Sequence, residues 1–270
     1  MSTVIPVSAD WLTLRESADA DSRSRLLALR AGRMLRPPLV VHDLGSGTGS
    51  MVRWCAPLLP GPQTWVLHDW NEALLDHAAR ASARDRDGAT VTMRTRIGEL
   101  GDLRENDLVG ASLVTASALL DVLTAGEVGA IVAACLAAAA PVLLALSVTG
   151  RVTIDPVDAG DRVFEAAFND HQRRTGGDRT LLGPDAAPAV AELFRSAGWS
   201  VRVDESSWRL DARSRALIEE WIDGWLGAGV AQRPALGEWA TEYARARSAQ
   251  IAADGLRVVV HHVDLLAWPP

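Results

Sequence analysis

Apolar positions along the chain alternate between two spacings. Residues 39–44 read Leu-Val-Val-His-Asp-Leu, a short run with little polar alternation, as a central strand covered on both faces requires. Before it, Trp11, Leu14, Leu26, Leu27, Leu29 and Leu35 recur at helical spacing in a charged background, predicting helix over residues 1–36 that Pro37-Pro38 stops. After it, Met51, Val52, Trp54, Cys55 and Leu58 line one side of a second helix. Residues 64–67 predict a second strand, and Asn71 caps a third helix with Leu74, Leu75 and Ala78 inward. Residues 90–96 alternate and predict a strand at or near a sheet edge. Residues 112–115 predict a fourth strand, 127–139 a helix and 142–148 a fifth strand. Such β-α repetition predicts a parallel, doubly wound sheet.

The rhythm changes after residue 150. Residues 151–161 predict turns, with Pro156 and Gly160. Helices are expected at 164–174, 188–197, 214–226 and 239–253. Strands are expected at 199–203, which 208–210 can extend, and at 256–266, a long Val-rich run. No repeat or linker marks a second independent domain.

Composition narrows the class. With 270 residues, 48% hydrophobic, the chain can bury one large α/β core. No apolar run reaches the roughly 18 to 20 residues a membrane span needs. Residues 125–146 come closest, interrupted by Glu127 and Pro141. Asp10, Arg15 and Glu16 stand where a signal peptide would be apolar, so a cytoplasmic protein is expected. The net charge of −7 makes a nucleic-acid partner unexpected. All 27 basic residues are arginines, which excludes a Schiff-base lysine and a Walker A lysine. Cys55 and Cys135 sit in apolar helical patterns and are expected as small buried residues. No His, Asp and Glu cluster has metal-site spacing, so no metal is expected.

The chemistry concentrates in Asp43-Leu44-Gly45-Ser46-Gly47-Thr48-Gly49. A strand entering a glycine-rich turn and then a helix lets the backbone approach a ligand and offers free N–H groups. Three ligand classes use this device. The phosphate-loop form needs a lysine. The dinucleotide form needs a third glycine at position 50, which is Ser50, so a nicotinamide enzyme is disfavoured. Here the third glycine is Gly49, and Asp43 lies two positions before the first. A carboxylate there suits a cationic ligand better than a pyrophosphate.

This stretch resembles motif I of the class I S-adenosylmethionine (SAM)-dependent methyltransferases, and the resemblance covers roughly residues 37–150. It implies a three-layer Rossmann-like α/β fold. The sheet would have seven mostly parallel strands with an antiparallel last strand, and N-terminal and late helices would form a cap. It also implies one methyltransferase domain over residues 1–270, with a helical lid at 1–36, a SAM-binding half at 37–150 and a substrate-side half at 151–270. In the family the turn (Asp43, Gly45, Ser46, Gly47, Gly49) holds the methionine end of SAM. Asp69, at the end of the second strand, would take the ribose hydroxyls, and Trp70 could pack on the adenine. Glu99 would lie near the adenine amino group, and Ser117 and Ala118 would border the sulfonium. The Asn/Asp-Pro-Pro-Tyr/Phe motif of members acting on nucleic-acid or protein amino groups is absent.

For the acceptor, the best region is Phe168-Asn169-Asp170-His171-Gln172-Arg173-Arg174. It follows the fifth strand, at the sheet edge where α/β ligands bind. His171 could act as a base, and Arg173 and Arg174 could hold an anionic group. Trp11 belongs to a segment that could fold over the pocket as a lid. Trp208, Trp221, Trp225 and Trp239 could line an apolar pocket, although helical spacing mostly signals core. One of His261 and His262 should face the core. The expected function is methyl transfer to a small molecule, with S-adenosylhomocysteine (SAH) as product. The alternatives are an RNA or protein methyltransferase and a SAM-binding protein without catalysis.

Overall fold

The computed structural model describes residues 7–270. Helix α1 (Ala9–Ser22) starts on Ser8, whose hydroxyl accepts from the Trp11 N–H, and α2 (Arg25–Met34) starts on Ser24 in the same way. The expected continuous helix is therefore two helices broken at Arg23-Ser24, because each serine satisfies N–H groups that a new helix leaves free. Its portion over residues 1–6 lies outside the described residues. Then come β1 (Leu39–Leu44), α3 (Ser50–Cys55), β2 (Gln63–Asp69), α4 (Glu72–Arg80), β3 (Thr92–Ile97), β4 (Leu113–Ser117), α5 (Ala125–Ala138) and β5 (Val142–Asp155). Asn71 caps α4 through its side chain, and Thr124 and Glu127 cap α5 reciprocally.

The second half contains α6 (Gly160–Gln172), a small hairpin of β6 (Thr175–Gly176) and β7 (Arg179–Thr180), α7 (Ala186–Ser196), β8 (Ser200–Glu205), β9 (Trp208–Leu210), α8 (Arg215–Gln232), α9 (Gly237–Ala252) and β10 (Arg257–Trp268). The sheet order is β3-β2-β1-β4-β5-β10-β8, with β9 also on β10. Strands β1 to β5 pair in parallel, while β10 runs antiparallel to β5, β8 and β9. Since β8 and β9 share one neighbour, they are one strand interrupted at Ser206-Ser207. This is the expected mostly parallel sheet with an antiparallel last strand.

One element differs from expectation. Residues 151–155 are not turns but the outer part of β5, whose residues 152–155 pair with residues 257–260 of β10. Val152 and Ile154 alternate there with exposed Arg151, Thr153 and Asp155, the period of a half-buried strand.

Three apolar clusters hold the layers. Leu27, Met51, Trp65 and Leu75 join α2, α3 and α4 to one sheet face. Val114, Ile131, Val190 and Phe194 join α5 and α7 to the other. Beyond the sheet, β5 and β10 continue as a ribbon. There Ile154, Phe164, Trp208, Trp221, Trp225 and Tyr243 pack α6, α8 and α9. Cys55 and Cys135 are buried as expected, and burial pushes both thiols up to about 12.

Candidate functional site

At the C-terminal ends of β1, β2 and β4 the chain encloses a cavity of about 510 Å³. Its floor is the glycine turn. Gly45, Gly47 and Gly49 have φ of +63°, +52° and +81°, a region side chains rarely adopt. A Cβ on Gly45 would also lie 2.8 Å from Leu119 Cδ1. The Ser46 N–H donates to the His68 carbonyl at 2.9 Å and the Gly47 N–H to Asp69 Oδ2 at 2.8 Å. The other Asp69 oxygen accepts from the Asn71 N–H at 2.9 Å. Asp69 therefore ties the turn after β1 to the end of β2 while it faces the cavity.

Asp43 is the most unusual group. It is 1% exposed, and Oδ1 accepts from Thr115 Oγ1 at 2.7 Å. Its Oδ2 and the Ser46 Oγ have no hydrogen-bond partner among the described residues. Burial pushes the Asp43 carboxyl up to about 7, against the opposing pulls of Thr115 and the Arg23 guanidinium. A buried carboxylate with an empty lone pair on a cavity wall is built for a positively charged or hydrogen-bond-donating ligand.

The N-terminal helices close the site. Trp11, Leu12, Arg15, Asp19 and Arg23 all line the cavity, and Leu12 Cδ1 lies 3.0 Å from the Cβ position of Gly47. Glu16 fastens α1 to α3 through two bonds of 2.6 Å from Arg53, which also donates to the Thr48 carbonyl. Arg15 is clasped by Asp19 and stands 4.8 Å over the Trp208 ring. Arg23, 4% exposed, donates to Ser50 Oγ and Ser117 Oγ at 3.0 Å each. The β6–β7 hairpin supplies another wall through Arg174, Gly176, Arg179 and Leu181. It is fixed to the chain after β4 by the Leu182 N–H to Leu123 carbonyl bond of 2.9 Å.

Of the residues singled out from sequence, Asp43, Gly45, Ser46, Gly47, Asp69, Trp70, Ser117, Ala118, Trp11 and Arg174 meet on this cavity. Four do not. Gly49 sits behind the turn, where it precedes α3 and faces Ala78. Glu99 is exposed before a single 3₁₀ turn, and the cavity is lined by its neighbour Leu100. Arg173 is drawn out to Asp185 in a two-pronged ion pair. His171 is half-buried off the cavity wall, where burial and Arg174 push its imidazole pKa down. The four late tryptophans fill the third apolar cluster or pack beside it, and none lines the cavity. His262 is the core-facing member of its pair, with its pKa pushed down to about 3 by burial.

Sequence reading missed Asp19 and Arg23, whose only signal was their charge within an ordinary helix. Arg15 and Leu119 line the cavity from stretches it did single out, the lid run at residues 11–16 and the segment at residues 117–120. Another open cleft of similar volume lies outside α1, lined by Ser206, Ser207 and Ser214. No residue of the glycine turn reaches it. Among the described residues no group of three or more His, Cys, Asp or Glu could hold a metal.

No family model and no curated protein matches the chain. Solved structures do. The cyclopropane synthase MmaA2 from Mycobacterium tuberculosis aligns over 97% of this chain and 95% of its own, with 14% identity and a TM-score of 0.53. A candidate type II methyltransferase from Anaeromyxobacter dehalogenans aligns over 91% and 96%, with 16% identity and a TM-score of 0.52. The chain has a Rossmann-like methyltransferase fold. In this fold the ends of β1, β2 and β4, where the cavity opens, are the ligand side of the sheet.

Proposed function

We propose that the protein is a SAM-dependent methyltransferase acting on a small-molecule acceptor, with SAH as product. The observation that carries this reading is the Asp43 carboxylate. It is buried beneath a glycine turn with one oxygen unpaired, and the cavity that turn floors is closed by α1. The Asp43 oxygen and the Ser46 hydroxyl suit the ammonium and carboxylate of a methionine moiety. Asp69 keeps lone pairs for ribose hydroxyls beyond its two backbone bonds, and Trp70, 40% exposed, offers a ring face for adenine. Ser117 and Ala118 border the same space. The reading assigns residues 1–36 to the lid, 37–150 to the cofactor half and 151–270 to the acceptor half of one domain.

When bound, SAM supplies a methyl group activated by its sulfonium. The chain's own part is to align the acceptor and keep water out, which α1 and the β6–β7 hairpin do by covering the cavity. The partial cover that α1 and the hairpin place over the cavity supports a small acceptor. The net charge of −7 also supports it. No helix is long and apolar enough to cross a membrane among the described residues, which fits the cytoplasmic location we assign.

Calorimetry with SAH tests the cofactor half. Wild type should bind with micromolar affinity, on the order of 8 kcal/mol. Asp69→Ala should weaken binding at least tenfold, and absence of SAH binding to the wild type refutes the reading.

A further inference from the structure

The cavity's arginines differ in what they are doing. Arg15 is committed to Asp19 and stacked on Trp208. Arg23 is committed to Ser50 and Ser117 and stands 3.8 Å from Asp19. Arg179 is paired with Glu127, at 2.8 Å. Arg174 makes no ion pair among the described residues. Its Nη1 donates to the His171 carbonyl at 2.9 Å, and this is its one side-chain hydrogen bond among the described residues. Asp121 is close enough to feel its charge, but that carboxylate accepts from Gln172 Nε2 at 3.1 Å instead. A guanidinium carries five N–H donors, so most of those on Arg174 remain for a ligand. The surrounding wall is largely apolar: Trp11, Leu119, Val122 and Leu181 face the same space.

A cation with unused donors at the edge of an apolar cavity selects a particular shape of molecule. We propose that the acceptor is an apolar acid, a molecule with an aromatic or aliphatic body and one carboxylate or phosphate that docks on Arg174. This rests on the methyltransferase reading, which assigns the glycine-turn end of the cavity to the cofactor. The anion gains charge-assisted bonds from the fork of the guanidinium, and the body gains burial against Trp11 and its neighbours. Neutral analogues would leave the Arg174 donors unpaired once water is displaced, and so bind worse.

The test is calorimetric titration of SAH-saturated protein with benzoate and phenyl phosphate, and with their uncharged counterparts benzamide and phenol. At least one acid should bind about tenfold or more tightly than its neutral partner. Arg174→Gln should remove that preference, while Arg162→Gln, on the exposed face of α6, should retain it. Benzoate alone, or phenyl phosphate alone, showing the preference identifies which anion the site takes. SAH binding by Arg174→Gln at wild-type affinity confirms that the variant is folded. Normal SAH binding with no acid preference, or a preference that survives Arg174→Gln, overturns the anion site and leaves the cofactor site standing. Failure of the wild type to bind SAH overturns both.

Discussion

Asp43→Asn should make the ligand-free protein more stable and its cofactor site worse. In the folded chain the Asp43 carboxyl titrates near 7 rather than 3.8, because burial penalises its charge. A raised carboxyl pKa means the folded state holds its proton where the unfolded chain has released it. The stabilising share of the protonated form is complete below about pH 3.8 and lost as pH rises through about 7. A difference of that size corresponds to about 4 kcal/mol between the two protonation states. Asparagine carries no charge, keeps an oxygen for the Thr115 hydroxyl and places an amide where Oδ2 lies. That amide finds no acceptor in the ligand-free site, which costs about 1–3 kcal/mol. The net gain at pH 8 should therefore be about 1–3 kcal/mol, or roughly 2–10 °C in Tm for a chain of this size. The assay is thermal unfolding of both proteins from pH 5 to pH 8.5, read as a difference so that every other titrating group cancels. The difference should be near zero or negative at pH 5 and should grow through pH 7. SAH affinity of the variant should fall at least tenfold. A difference that does not change with pH, or that shrinks as pH rises, refutes the account of Asp43.

Three further outcomes follow from the same geometry. Gly45→Ala places a methyl 2.8 Å from Leu119 at a φ of +63°, and should cost about 1–3 kcal/mol in denaturant unfolding together with SAH binding. Glu16→Gln weakens the partly exposed pair with Arg53, whose side chains are 31% and 26% exposed. Stability should drop by less than about 1 kcal/mol, while stopped-flow measurements should show SAH leaving several-fold faster. His68 and His262 are pushed down to about 4 and about 3 by burial, so the unfolded chain takes up protons that the folded chain refuses. Their share of stability is whole above about pH 6.5 and lost as pH falls below it. His262→Phe should flatten that acid limb in urea titrations.

The glycine-turn side of the cavity was legible because its pattern is local. Residues 43–49 and Asp69 carry their meaning in spacing, and the strands that hold them are continuous apolar runs. The opposite wall of the cavity required tertiary information. Arg173 and Arg174 are adjacent in sequence, yet α6 ends at Gln172 and the chain turns there, so one side chain goes to Asp185 and the other to the cavity. Nothing in their order foretells which. Glu99 was expected at the cavity, but the chain after β3 leaves it exposed and presents Leu100 instead. Arg23 sits 94 residues from Ser117, and its bond to that hydroxyl exists only because α1 and α2 fold back over the sheet. The outer part of β5 was legible in principle, since residues 151–155 alternate, but Pro156 and Gly160 obscured the pattern.

The folding back of α1 and α2 is itself fixed by buried charge, and this links those helices to the glycine turn. Asp264, fully buried on β10, accepts from the Leu146 N–H through one oxygen and from the Ser24 N–H through the other, each at 2.7 Å. Leu146 has a φ of +55° at an irregularity in the β5–β10 ladder, which turns its N–H away from strand pairing. The carboxylate thus repairs a break in the sheet and pins the α1–α2 junction with the same group. Arg23 lies one residue before that pinned serine, so its guanidinium is delivered to Ser50, Ser117 and the neighbourhood of Asp43 with little freedom. Truncating a buried acid of this kind strands two backbone donors, which makes Asp264 harder to replace than an exposed acid. The N-terminal helices are therefore part of the cavity around Asp43, because the guanidinium that partly offsets the burial of its charge comes from them.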